Sequence, residues 1–397
     1  MCHGRSNARM SFSAQPLDIF IIGGGPAGLG TAIVAAQHGL GVAVADHSHP
    51  PIDKVCGEGL MPDTLSAMKK LGITVGHGEA VPLRGIRFRD ADSLTCVEAE
   101  FSQGFGLGLR RTVLHAKLVE RAAGLGVALL WGCRVSLGRD GQVFCEGRPV
   151  HCKWVIGADG ESSPSRKWAA LEQTRYEQIR FAARQHFCTT PWTDFVEVYW
   201  ARDCQIVVAP IASEELCIAV TSRRPGLRFR DAFDQVPALA SRLRNVCALG
   251  KVRGTRAALR RLRRVCHGRC ALVGDASGSV DPLTGEGIGL AFRQAVALVE
   301  AIKRSEGHLS RAQSNQLHSY QAAHDRIGRA PRLMSRLMLT MDAHPQWRQR
   351  ALRILAAEPS LFSRLLDVNV GELTFSRFGL GNALRLGCRL FRPGWEL

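Results

Sequence analysis

No second cysteine pair accompanies Cys266 and Cys270 of "CHGRC", although the chain holds 13 cysteines in 397 residues. A closed zinc site needs four ligands at short spacings, so these residues argue against one. The irregular spacing reads instead as reduced, mostly buried thiols of a cytoplasmic protein. Zinc-finger, RNP-like and helix-turn-helix signatures are missing too, even around the basic run "RGTRAALRRLRR" (253–264). The formal net charge of +17 therefore fits a solvated face, an anionic surface or anionic small molecules better than nucleic acid. "MCHGRSNARMSFSAQPL" has basic residues but no apolar core, unlike a secretory signal, and residues 1–16 are expected to be disordered. Residues 19–45 lack something else: they contain no Asp, Glu, Lys or Arg. Length alone would let that stretch span a membrane, but its glycine cluster and strand–turn–helix rhythm argue otherwise.

What is present is a composition 46% apolar and 22% charged, ample for a large core in two domains or one elaborate one. "LDIFIIGGGPAGLGTAI" (17–33) sets an apolar strand before Gly23, Gly25 and Gly28 in the spacing G-x-G-x-x-G, with Pro26 and Ala27 opening a helix. "GVAVAD" then reads as a second strand ending at Asp46, about 18 residues beyond Gly28. Glycine at 23 permits a tight turn, at 25 it lets backbone approach a diphosphate, and at 28 it lets helix and strand pack closely. The helix N-terminus offers unpaired N–H groups, and Asp46 can accept hydrogen bonds from ribose hydroxyls. These features predict a bound dinucleotide. "GFGLG" (104–108) does not follow a strand into a helix, so no second dinucleotide domain is expected.

Two later stretches narrow the choice. "KWVIGADGESSPSRKW" (153–168) follows a strand with Asp159 and Gly160. "RCALVGDASGSVDPLTGEGIGLAFRQAVALVEAI" (269–302) ends a strand at Gly274-Asp275 and opens a long helix near Ile288 after Pro282, Gly285 and Gly287. With these motifs the chain resembles the flavoproteins that include para-hydroxybenzoate-hydroxylase-like monooxygenases and geranylgeranyl reductases, from about residue 17 to residue 305. The resemblance implies an α/β, glutathione-reductase-like Rossmann domain holding extended FAD. An inserted antiparallel substrate sheet and a helical C-terminal region complete the expected fold. It implies that Asp275 bonds the ribityl chain, that amides around Gly285, Gly287 and Ile288 face the flavin pyrimidine edge, and that Arg111, rather than Arg110, touches FAD. Asp159 is placed to influence FAD and a pyridine nucleotide, or simply caps its turn. The expected FAD-binding parts are 17–80, 102–175 and 255–320; the substrate sheet takes 81–101 and 176–254, and helices take 321–397.

"DKVCGEGLMPDTLSAMKKLGI" (53–73) resembles the reductases' K-x-C-G-x-G loop at the isoalloxazine ring. Cys56 is there a proton donor or flavin neighbour, or else an inert small side chain. Glu58 either transfers protons or bonds its own glycine turn. Lys54 reads as a solvated charge, and His115 is assigned no role. The reductases' Y-x-W-x-F-P pattern should fall at "QIVVAP" (205–210), where only the proline remains, and no two tryptophans stand two apart as halogenases require. The alternating segments 85–101 and 195–222 read as antiparallel strands; the resemblance implies that their sheet roofs the flavin, with an apolar face that either lines the substrate cavity or simply forms the small domain's core.

The resulting expectation is an FAD-dependent monooxygenase acting through a flavin C4a-hydroperoxide on an apolar aromatic, polyketide or isoprenoid compound. NAD(P)H would bind transiently as electron donor, or a partner protein would supply electrons. The alternative is a reductase saturating isoprenoid double bonds with a proton from Cys56; a halogenase and a non-enzymatic flavin carrier rank below both. "LGNALRLGCRLFR" (380–392) segregates Arg385, Arg389 and Arg392 from an apolar face, a pattern for docking on the protein's own body or for peripheral membrane contact.

Overall fold

The computed structural model describes residues 17–138, 141–306 and 317–379. The chain runs β1 (Leu17–Ile22), α1 (Pro26–Gln37), β2 (Val42–Asp46), α2 (Pro62–Lys70), β3 (Gly85–Asp90), β4 (Cys96–Glu100), α3 (Arg111–Gly124), β5 (Ala128–Trp131) and β6 (Cys152–Gly157). It continues through β7 (Thr174–Cys188), β8 (Phe195–Trp200), β9 (Cys204–Ala212), β10 (Glu215–Ser222), β11 (Cys247–Leu262) and β12 (Cys270–Leu272). Helices follow: α4 (Gly287–Glu306), α5 (His318–Ile327), α6 (Arg329–Ala343), α7 (Pro345–Ala357) and α8 (Pro359–Asn369).

A parallel sheet in the order β12-β6-β1-β2-β5 carries the first part of the molecule. β1 is apolar from Ile19 to Ile22 because both faces of such a sheet are covered; Ile19, Phe20 and Ile21 are fully buried. α1 is apolar all round for a related reason. It lies between the sheet and α4, and at Gly30 the two helices are so close that a Cβ would fall 2.8 Å from the Phe292 ring. One cluster formed by α1, α3, α4 and the sheet makes this domain's core.

A larger roof sheet, in the order β11-β7-β10-β9-β8-β3-β4, stands over it. Its pairs are antiparallel except β8 with β3, where Phe195 pairs with Gly85. β11 belongs to this sheet as far as Leu262 and so crosses the 254/255 division drawn from the sequence. The basic run is thus a strand rather than only a solvated face: Arg260 pairs with Glu161 and Glu177, Arg253 with Asp53, and Arg261 with Asp325. One roof face is covered by two short helices, 229–233 and 237–243. The other meets α6, α7 and α8. Fully buried Arg348 of α7 fixes that contact by donating from Nε to Asp90 Oδ2 at 2.6 Å. The amphipathic segment 380–392 and residues 1–16 lie outside the described residues. Among the described residues no helix is long and apolar enough to cross a membrane.

Candidate active site

The turn after β1 is built almost wholly of backbone. Gly23 has φ +113°, and a Cβ there would lie 2.3 Å from the Ala158 carbonyl oxygen. A Cβ on Gly28 would lie 1.9 Å from the Gly23 carbonyl oxygen, so strand and helix can touch only without it. Gly25 differs: a Cβ there would meet nothing within 4 Å. Its bareness serves open space in front of the α1 N-terminus, where no side chain caps the helix, Pro26 opens it and the first turn holds no acid. The N–H groups of that turn remain available to an anion. Asp46, at the end of β2, accepts the Gly24 N–H at 2.7 Å and the Ser48 N–H at 2.8 Å. Those bonds leave carboxylate lone pairs for ribose hydroxyls.

His115 has a part in this turn that the sequence did not disclose. It is fully buried on α3; Nε2 donates to the Gly24 carbonyl at 2.9 Å and Nδ1 accepts the Ile52 N–H at 3.4 Å. Burial first, and Arg111 second, lower its pKa, so it locks the loop as a neutral imidazole.

Farther along the cleft, Asp275 sits in the turn after β12 with its side chain open to the space between the layers. Enclosure by the cleft walls raises its pKa, while Lys54, Arg111, Arg260 and Arg166 draw it down. Arg111 is buried and its Nε has no protein partner. Asp159 spends both oxygens locally, on the Ser163 hydroxyl at 2.6 Å and the Ser165 N–H at 2.8 Å; this is the turn-capping arrangement. Gly160 follows with φ +80°, facing Lys54. Pro282 and Gly287 are exposed, Gly285 adopts φ +69° against Met61, and Ile288 enters α4. A Cβ on Gly287, as on Gly25, would meet nothing within 4 Å.

The loop between β2 and α2 reaches the roof through Glu58. This residue is buried and strained, with φ +60°. Its Oε1 accepts the Arg111 backbone N–H at 2.9 Å and Arg184 Nη1–H at 2.9 Å, while Oε2 lies 2.6 Å from His186 Nε2. Arg184 Nη2 donates to Asp53 at 2.7 Å, and Asp53 also pairs with Arg253 at 2.8 Å. On the far side His186 Nδ1 lies 3.9 Å from Glu215, which pairs with Arg110. Arg110 therefore belongs to the roof network rather than to the neighbourhood of Asp275. Cys56 Sγ accepts the Glu58 N–H at 3.4 Å, and the Cys56 carbonyl accepts the Cys217 thiol at 3.6 Å. Burial, with Glu58 and Cys56 adding to it, pushes the Cys217 thiol well up.

Glu58, His186 and Cys217 bring three possible metal-ligand atoms within 4.8 Å of one another. Arg184 Nη1 stands 2.9 Å from Glu58 Oε1 and 2.8 Å from His186 Nε2, so a guanidinium already supplies positive charge there. A second buried knot ties the roof to the 281–288 turn. Arg180 donates to Asp281 at 3.3 Å, to Thr221 at 3.1 Å and to Gln205, which also bonds Asp342 of α6. The roof face expected to be apolar is thus divided: Arg180, Arg184 and His186 of β7 are charged or polar, whereas Val198, Val207, Ala209 and Ala219 are apolar.

A family model described as "FAD binding domain" matches residues 16–332. Menaquinone reductase of Mycobacterium tuberculosis is 28% identical over 299 residues, covering 68% of this chain and 72% of that protein. A 6-methylpretetramide 4-monooxygenase of Streptomyces rimosus is 25% identical over 422 aligned positions, covering 95% of this chain and 96% of its own. Among solved structures, a flavoprotein/dehydrogenase from Cytophaga hutchinsonii superposes with a TM-score of 0.78 at 15% identity, covering 94% of this chain and 99% of the other; this likeness speaks to the fold.

Proposed function

The chain belongs to the FAD-binding-domain family and is an FAD-dependent oxidoreductase, and from that premise we propose that it is a monooxygenase of apolar, fused-ring or quinoid small molecules. The observation that carries this reading is one continuous apolar cluster. It joins Met61 and Leu283, beside the two loops assigned to the flavin, to Val196, Val198 and Ala209 of the roof and to Met334 and Leu352 of the C-terminal helices. That cluster is packed between the roof and the C-terminal helices, and its Met61–Leu283 end, beside the flavin loops, suits a flat greasy substrate and the exclusion of water there. The two relatives, a menaquinone reductase and a 6-methylpretetramide monooxygenase, favour the same substrate class.

FAD fits the groups that are present. The uncapped α1 N-terminus and the empty space over Gly25 suit its diphosphate, and Asp46 its ribose. The orphaned Nε of Arg111 and the cleft-facing Asp275 suit the chain between ribose and ring. The amides of Gly285, Gly287 and Ile288 suit the pyrimidine edge. When bound, FAD supplies the redox chemistry, taking an electron pair from NAD(P)H and making it available to dioxygen. The chain's own contribution is to hold, orient and dry. Glu58 Oε2 and His186 Nε2 face each other at 2.6 Å with Arg184 Nη1 beside them, and the Glu58 backbone N–H donates to Cys56 Sγ at 3.4 Å, so the Cys56 loop is fixed to the roof.

The likeness to menaquinone reductase favours a second reading, reduction of a substrate double bond with Cys56 as proton donor. One experiment separates the two. The purified protein is supplied with NADH or NADPH, isotopically labelled dioxygen, and either a prenylated naphthoquinone or a tetracyclic polyketide. Gain of one labelled oxygen in the product is the expected outcome. Gain of two hydrogens without label would replace oxygenation by reduction.

A further inference from the structure

Below the 282–288 turn lies a buried acidic group that neither oxygenation nor substrate binding uses. Glu286 stands between Gly285 and Gly287 and is 0% exposed. Asp63 comes from the first turn of α2. Arg293, two turns into α4, bridges them: Nη1 lies 2.7 Å from Asp63 Oδ2, and Nη2 donates to Glu286 Oε2 at 2.7 Å. Two carboxyl groups thus face one guanidinium, with Glu286 fully buried and the Asp63 side chain 10% exposed. Asp63 Oδ1 and Oδ2 and Glu286 Oε1 are buried and lack a hydrogen-bond partner. Two ionised carboxylates are acceptors only and would leave all these oxygens unsatisfied beside a single positive charge, whereas one proton held between the two carboxyls satisfies a pair of them and leaves one negative charge for Arg293 to balance.

We propose that Asp63 and Glu286 share a single proton and form with Arg293 a neutral unit behind the Gly285–Ile288 amides, and that this unit governs how the potential of the bound flavin responds to pH. The second half rests on the reading that those amides face the pyrimidine edge. Reduction builds negative charge at that edge, and the N-terminus of α4 stabilises it. A neutral unit leaves that stabilisation intact. Loss of the shared proton puts a net negative charge next to it and opposes reduction. Burial, followed by the neighbouring Asp63, pushes the Glu286 carboxyl well up, and burial raises Asp63 against the pull of Arg293. Packed around the pair are Thr64 of α2, Thr284 of the turn, whose hydroxyl accepts the Glu286 N–H at 3.4 Å, and Arg293 of α4; Asn369 at the end of α8 in turn donates to the Thr284 carbonyl at 3.1 Å. Asp63 and Glu286 are positioning residues here, since neither is placed against the reacting atoms.

The test uses the full-length protein in two arms. Infrared spectra of the wild type, Glu286→Gln and Asp63→Asn, with or without flavin, read the proton. A protonated-carboxyl band that shifts in deuterium oxide should be present near neutral pH in the wild type and lost in both variants. Redox titration of the flavin-loaded protein across neutral and alkaline pH reads the coupling. The wild-type midpoint potential should fall more steeply with rising pH than that of Glu286→Gln. Absence of the band from the wild type, or its survival in both variants, overturns the shared proton. Parallel potential curves overturn its coupling to the flavin. If Glu286→Gln fails to fold, Asp63→Asn reads both arms. A wild-type protein that takes up no flavin would strike at the assigned cofactor site instead, and the infrared arm would still report on the proton.

Discussion

The turn over α1 and the contact under the roof meet the same cleft but are made of opposite materials. At Gly23–Gly28 nearly everything is main chain, and the specificity lies in missing side chains. At Glu58 nearly everything is side chain: a strained carboxylate held by Arg184, His186 and one helix N–H. A backbone site is tolerant of pH and intolerant of bulk. A buried ionic site is the reverse, because removing one partner leaves the others desolvated and unpaired.

The largest effect should come from the ionic side. Glu58→Ala leaves Arg184 and His186 facing each other without their shared acceptor and should cost about 3 kcal/mol of stability, measured by urea denaturation. If the cost stays within about 0.5 kcal/mol, as for an ordinary surface change, the contrast between the regions fails. A second experiment probes where the contrast breaks down. His324 of α5 bonds Ser277 at 2.9 Å, close to Asp275 on the backbone-built side, and burial takes its pKa from 6.5 to about 4. The folded state therefore holds it neutral while the unfolded chain protonates it more readily. Its contribution is fully present above pH about 6.5 and is lost as the pH falls towards 4, a cost of roughly 3 kcal/mol at most. The fall of Tm over that range should flatten in His324→Gln; an unaltered slope would remove His324 from the account. The smallest effect sharpens the backbone side. Gly25→Val should leave the apoprotein's Tm unchanged, since its side chain enters empty space, yet weaken FAD binding at least tenfold, about 1.4 kcal/mol. Loss of Tm without loss of affinity would mean that the space over Gly25 is not where the diphosphate lies.

The two materials also explain what could be read from the sequence. The glycine turn, Asp46 and the Gly-Asp turn are local patterns, in which spacing along the chain fixes spacing in three dimensions. The parallel sheet and the strands at 85–100 and 195–222 were legible for that reason. β7 was not, because its buried face reads Arg180, Ala182, Arg184, His186 and so lacks the apolar alternation that marks a half-buried strand. Those charges are buried only because Asp53, Glu58 and Asp281 meet them from remote segments. β11 was obscured in the same way, its arginines resembling a solvated face until Glu161, Glu177 and Asp53 are set opposite. His115 carried no local signal, since its partner is a carbonyl of the glycine turn. Asp159 and Arg110 show the converse limit. A motif fixed their positions, but which neighbour each bonds depended on the Ser163 turn and on Glu215.

The parallel pairing of β3 with β8 has a consequence for how the polypeptide is made. The hairpin of β3 and β4 leaves the ribosome well before Phe195, the residue that Gly85 must pair with, exists. Until then its apolar side, Ile86, Phe88, Val97 and Ala99, has nothing to rest on. A nascent chain stalled before β8 would present a sticky, unfinished edge, so genetic truncation there should yield aggregate rather than a smaller soluble nucleotide-binding module.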